Sequence, residues 1–270
     1  MNLLFVADIF ANGGKRVLSE LLPGLRREFS VDVCVANGEN LAGGHGVTKN
    51  LLGKLRKFGV DVVTGGNHIW DNKDGVDCLD SEPYLLRPLN YPPGNVGKGS
   101  CLFPLPDGRT VGVINLQGRT FMYPIECPFR AGLVEINKLK TKTDIIVVDF
   151  HAEATSEKMA AAWYFDGRIS AFVGTHTHVQ TADERVLPGG SAYITDLGMT
   201  GPLASVIGMK KEAVLRKFLY EVPVRFEPAE EDLMFNGVVV EVDDATGKAK
   251  RIERIMRHYT PKEGQAKEED

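Results

Sequence analysis

The stretch "ISAFVGTHTH" (residues 169–178) joins a short apolar run to His176 and His178, two of only six histidines in the chain. Such a run, too short for a helix and bounded by glycine, reads as a strand buried on both faces. Strands of that kind belong to sheets covered by helices on both sides. On an extended backbone, residues two apart point to the same side. His176 and His178 are then expected to face one point, with Thr177 turned away.

The same grammar recurs along the chain. "NLLFVAD" (2–8), "VDVCVAN" (31–37), "VDVVTGG" (60–66) and "TDIIVVDFH" (143–151) read as further strands. Helical spacing fills the gaps between them. "KRVLSELLPGLRREF" (15–29) predicts a helix that Pro23 breaks or restarts. "TKNLLGKLRKF" (48–58) predicts one capped by Thr48 and ended by Gly59. "TSEKMAAAWYF" (155–165) predicts one capped by Thr155 or Ser156. Residues 101–118 and 237–255 read as hairpins turning at Asp107-Gly108 and near Gly247, which makes the sheet mixed. Alternation of this kind defines an α/β class. The expected organisation is one domain over residues 1–257 and a charged, disordered tail over 258–270.

Composition narrows the function. A net charge of -4 lacks the basic surplus of a general nucleic-acid binder. No apolar run approaches membrane-spanning length, and "MNLLFVADIF" lacks the basic start of a signal peptide. The four cysteines show no metal-knuckle spacing, and a reducing cytoplasm is the expected compartment. His45, in "LAGGHGVT", and His258 read as solvated.

What stands out is how the strands end. They run into Asp8, into Glu39 and Asn40, into Asn67 and His68, into His151, and into His176 and His178. Taken singly, each suits a cap or a turn. Together they deliver oxygen and imidazole donors to the carboxyl edge of the sheet, where open α/β sheets hold ligands. That donor set suits iron, manganese or zinc in a catalytic rather than a structural site. Glu39 is placed to bridge two ions, the arrangement that clamps attacking and leaving oxygens in phosphoester hydrolysis.

These residues carry a family resemblance. Asp8-Ile9-Phe10, "NGEN" (37–40), "GGNH" (65–68), "FH" (150–151), "GTHTH" (174–178) and "TDLGMTGP" (195–202) resemble the metallophosphoesterase (calcineurin-like) superfamily. More closely, the chain from Met1 to about residue 257 is similar to the YmdB-like family of 2′,3′-cyclic-nucleotide 2′-phosphodiesterases. The resemblance implies a four-layer α/β sandwich with mixed central sheets, and two first-row transition-metal ions, iron by preference, with manganese or zinc as alternatives. It implies Asp8, Glu39, Asn40 and His178 on the first ion, and Glu39, Asn67, His151 and His176 on the second. His68 becomes the proton donor to the leaving oxygen, and a hydroxide bridging the ions the nucleophile. Phe10 stands where the wider superfamily has a ligating histidine, and Glu39 where it has a bridging aspartate; Asn40 can take the lost place.

The implied enzyme hydrolyses 2′,3′-cyclic nucleotides to nucleoside 3′-phosphates. A phosphomonoesterase or protein phosphatase on the same site, or a regulatory protein with a degenerate site, are the alternatives. The expected partner is a small phosphodiester, with no membrane and no large nucleic acid; a homo-oligomer stays open.

Overall fold

A computed structural model describes residues 1–260 of the chain. The first leg comprises β1 (Asn2–Val6), β2 (Asp8–Ile9), α1 (Ala11–Glu28), β3 (Val33–Asn37), α2 (Lys49–Phe58) and β4 (Val62–Thr64), followed by a 3₁₀ turn over Asn67–Trp70, α3 (Lys73–Cys78) and β5 (Leu85–Leu86). The second leg comprises β6 (Ser100–Pro104), β7 (Thr110–Gln117), α4 (Pro128–Leu139), β8 (Ile146–His151), α5 (Thr155–Phe165), β9 (Ala171–Thr175), β10 (Arg185–Val186) and β11 (Ala192–Ile194). The chain closes with β12 (Met199–Pro202), α6 (Lys211–Tyr220), β13 (Leu233–Val242) and β14 (Ala249–Tyr259).

These strands form two mixed sheets. The first has the order β2-β12-β13-β1-β3-β4-β5, with β14 also paired to β13. The second has the order β10-β11-β9-β8-β7-β6. In each, a parallel centre is flanked by an antiparallel partner: β13 against β1, and β6 against β7.

Alternation along the strands builds the layers. Leu3, Phe5, Val33 and Val35 face the same core as Val111, Val113, Val147 and Val173 of the second sheet. Their neighbours Leu4, Val6, Cys34 and Ala36 pack instead against Val17, Leu18 and Leu22 of α1 and Leu51, Leu52 and Leu55 of α2. On the far side, Ile146, Val148 and Phe150 pack against Ile136 of α4 and Ala161 and Phe165 of α5. Helix, sheet, sheet and helix thus stack as a four-layer sandwich, the architecture the resemblance implied.

Local departures have physical reasons. α1 starts four residues earlier than its periodicity suggests and runs straight through Pro23. Leu22 and Leu25, buried on either side of it, hold the turn in place, so packing outweighs the missing backbone donor. α5 has Ala154 at its N-cap position and no side-chain cap, so neither Thr155 nor Ser156 plays that part. α2 keeps both expected ends: Thr48 accepts from the Leu51 N–H at 3.3 Å, and Gly59 takes a left-handed φ of 105°. Both hairpins form where expected. β14 continues to Tyr259, two residues past the boundary set at 257, so His258 is a strand residue; the remainder of the expected tail, 261–270, lies outside the described residues.

Candidate metal centre

All the polar strand-end residues converge at one edge, where the two sheets meet. β2 supplies Asp8, and the turn after β3 supplies Glu39 and Asn40. The 3₁₀ turn after β4 supplies Asn67 and His68, and β8 supplies His151. His176 and His178 follow β9, but not as a continued strand. β9 ends at Thr175, and the two histidines have φ of 106° and 63°, in the left-handed region that non-glycine residues avoid. The expectation that an extended backbone aims both at one point is therefore wrong. Two left-handed turns aim them at two neighbouring points.

Around the first point, His151 Nε2 lies 3.0 Å from Glu39 Oε1, 3.1 Å from Asn67 Oδ1 and 3.0 Å from His176 Nδ1. One ring nitrogen cannot satisfy three such partners with one proton, whereas a cation among them can. Around the second, His178 Nε2 lies 3.1 Å from Asn40 Nδ2 and 4.0 Å from Asp8 Oδ2. Glu39 joins the two groups, because its Oε1 also accepts from Asn40 Nδ2 at 3.4 Å. Glu39, His151 and His176 form a group whose ligand atoms are close enough to share one metal ion.

Two further features fit a metal. Asp8 is wholly buried, yet its Oδ1 has no hydrogen-bond partner among the described residues. That is a costly state for a carboxylate unless something positive meets it. Gly66 is the other: a Cβ there would overlap the His151 ring and the Glu39 carboxylate, so the space between these donors is kept open by a glycine.

The electrostatics agree. Burial raises the Asp8 carboxyl well above the usual range, with Glu39 and Asp196 adding to the rise and His151 offsetting part of it. Burial works against charge on Glu39 too, but His151 beside it brings that carboxyl down to about 2. Burial works against a charged His151, yet Glu39, Asp8 and Asp149 raise it to about 9. Burial, with His151 next to it, pushes His176 down to about 3, and burial also lowers His178. Both are therefore neutral imidazoles with a free lone pair.

A supporting shell fixes the rings. His151 Nδ1 donates to Thr175 Oγ1 at 2.9 Å, and Thr175 donates to Asp149 at 2.8 Å, which turns Nε2 toward the cluster. Asp149 also accepts from Thr64 and from Asn37, side chains of the other sheet. His178 Nδ1 donates to the Ile207 carbonyl at 2.9 Å, and Phe10 packs edge-on against that ring. Phe10 thus buttresses the His178 imidazole. Lys158 and Asp196, both fully buried, pair at 2.6 Å. Asp196 also accepts from the Thr177 and Gly198 N–H groups, holding the turn between the two histidines.

His68 sits at the mouth. Its N–H donates to Glu39 Oε2 at 2.9 Å, and its side chain is one-third exposed, at 33%. His68 Nδ1 lies 2.7 Å from Asp71 Oδ2 and 3.2 Å from His45 Nδ1, and His45 lies 3.3 Å from the same Asp71 oxygen. His45 is therefore an exposed loop residue, as expected, that also joins a three-membered cluster at the mouth. Sequence reasoning missed His45, Asp71, Lys158 and Asp196. Asp71, three residues from His68 on the same turn, was the one within reach of a spacing argument.

A four-layer sandwich with these donors at the carboxyl edge of its strands is an α/β fold of the phosphatase-like class. The family model for "YmdB-like protein" matches residues 4–255, and the chain belongs to that family. It is 46% identical to a 2′,3′-cyclic-nucleotide 2′-phosphodiesterase of Bacillus subtilis, over 95% of this chain and 97% of the relative. Among solved structures, a hypothetical protein from Thermus thermophilus superposes with a TM-score of 0.90 at 41% identity, covering 96% of this chain and 100% of that one. A novel phosphatase from Mycoplasma pneumoniae superposes with a TM-score of 0.90 at 35% identity, covering 96% and 93%. No helix among the described residues is long and apolar enough to cross a membrane.

Proposed function

We propose that this protein is a metal-dependent phosphodiesterase that opens 2′,3′-cyclic nucleotides at the 2′ bond, leaving nucleoside 3′-phosphates. The observation that carries the metal site is the convergence of Glu39, Asn67 and His176 on His151 Nε2, beside the unpartnered Asp8 oxygen. The substrate follows from the activity by which the Bacillus subtilis relative is named. Two ions, iron by preference, would be held by Asp8, Glu39, Asn40 and His178 on one side and by Glu39, Asn67, His151 and His176 on the other. When bound they supply an acidified water as nucleophile and positive charge against the phosphoryl oxygens.

The chain's own contribution is orientation and proton transfer. Asp71 accepts from His68 Nδ1, which leaves Nε2 as the nitrogen that hands a proton to the departing oxygen. That oxygen would otherwise leave as an alkoxide, and general acid catalysis of this kind is worth about a hundredfold to ten-thousandfold. His68→Ala is expected to lose that much turnover while retaining its metal, measured by elemental analysis. Parallel loss of metal and activity would make His68 a ligand instead.

The reaction is tested with the metal-loaded protein on adenosine 2′,3′-cyclic phosphate, with products separated by chromatography. Release of the 3′-phosphate is expected. The 2′-phosphate isomer would overturn the bond assignment, and turnover of monoesters alone would make the protein a phosphatase, as the Mycoplasma pneumoniae structure is described.

A further inference from the structure

We infer that the segment from Gly118 to Arg130 binds the nucleotide chain leading up to the reacting ester. The preferred substrate is then a single-stranded RNA end closed as a 2′,3′-cyclic phosphate, rather than a lone cyclic nucleotide; this deepens, and rests on, the function proposed above.

Placement is the first ground. Gln117, the last residue of β7, pairs in register with His151, and the Gly118 N–H donates to the His151 carbonyl at 3.0 Å. The segment therefore leaves the sheet directly beside the metal cluster.

It is also a built feature and not a slack loop. Asn90 is buried, and its Nδ2 donates to the carbonyls of Gln117 at 2.8 Å and Glu126 at 2.9 Å, clamping the two ends together. Glu157 accepts from the Arg119 and Thr120 N–H groups at 3.0 and 3.1 Å. On this fixed base the tip presents Phe121, 88% exposed, and Tyr123, 69% exposed. Phe121 has a φ of 61°. A bulky residue in the left-handed region carries strain, and an exposed phenyl ring returns nothing to folding. Aromatic rings displayed this way are the stacking platforms on which single-stranded bases rest.

Charge completes the argument. Arg119 and Arg130 line one cleft of about 390 Å³, in which Glu126 is the single acidic residue. Neither guanidinium has a hydrogen-bond or ion-pair partner among the described residues. A nucleoside 2′,3′-cyclic phosphate carries its only negative charge on the ester itself, which the metal centre takes. Two exposed guanidiniums beyond that centre are suited to a second anion. The phosphodiester on the 5′ side of the terminal ribose is the next one along an RNA strand. Such ends arise when a ribose 2′-hydroxyl attacks its neighbouring phosphodiester and expels the following nucleotide, so an RNA-cleaving reaction of that class must supply the substrate.

The test compares kcat/KM of the metal-loaded full-length protein on adenosine 2′,3′-cyclic phosphate and on a tetranucleotide ending in the same cyclic phosphate. The tetranucleotide is expected to be preferred by about tenfold or more, a gap that narrows as salt rises. The double variant Arg119→Ala/Arg130→Ala should bring the ratio near one. Phe121→Ala should cut the tetranucleotide value about tenfold, mainly through KM, and Phe121→Trp should preserve it. Equal kcat/KM on both esters overturns this inference and leaves the proposed function standing; turnover of neither overturns both. A preference that survives the arginine and Phe121 substitutions overturns the assigned surface. A Phe121→Ala protein with intact preference but a changed mass by light scattering would make the aromatic tip a protein–protein contact, and overturns it too.

Discussion

Lys158 shows what a single residue can do at a distance from the chemistry. It lies on α5, has no exposed surface, and reaches Asp196, whose carboxylate also holds the turn carrying His176 and His178. Removing one partner of such a pair leaves a charge buried alone, which costs about 3–5 kcal/mol. Lys158→Ala should therefore lower the unfolding free energy by about that amount in urea titrations, and reduce metal content as the histidine turn loosens. The cysteines give a second prediction at this scale. Burial pushes the Cys34 thiol far up and Cys101 to about 12, so both stay protonated and poorly nucleophilic at pH 8. Iodoacetamide should label the half-exposed Cys127 first, with Cys34 and Cys101 protected, as read by mass spectrometry of the modified peptides. The residues that end apolar strands were legible in the sequence, because a donor after a buried run has few bland explanations when five runs share the habit. Lys158 was not. In "TSEKMAAAWYF" it reads as an ordinary solvated helix residue, and only the packing of α5 against the second sheet reverses that.

Among the elements, the short turn after β4 is the least forgiving. A Cβ on Gly66 would collide with the His151 ring and the Glu39 carboxylate, although the substitution removes no donor. Gly66→Ala is expected to lose most of its bound metal while its far-ultraviolet dichroism stays native. Gly53 is the contrast. It lies inside α2 with nothing within 4 Å of where its Cβ would be. There alanine only restricts the unfolded chain and favours the helix, so Gly53→Ala should stabilise by about 0.5–1 kcal/mol, seen as a higher Tm. Element type was read well from periodicity; element ends were not. Pro23 is a strong local signal that yielded to packing, and Thr155 supplies no cap. The reading of "GTHTH" reached the right residues by the wrong route, since period-two alternation cannot reveal that the strand stops at Thr175.

For the whole molecule, the chain starts one sheet, builds the second, and returns to finish the first. β13 pairs with β1, with Gly237 opposite Val6, more than two hundred residues away in sequence. A fragment ending at residue 232 therefore lacks the antiparallel partner of its first strand, with β14 as well, and it is expected to show no cooperative melting transition. That the strands fall into two sheets was not legible, because a strand buried on both faces looks the same wherever it is placed. The family likeness, not the pattern, supplied the sandwich. The division has one more effect. Asp8, Glu39, Asn40 and Asn67 ride on the first sheet, while His151, His176 and His178 ride on the second. Donor spacing is thus set by how far one sheet slides over the other, and Val35, Val147 and Val173 at that seam act like the scale marks of a vernier. If the proposed function holds, changes in their volume should shift which ion these donors hold best, read as relative metal affinity, without altering any donor side chain.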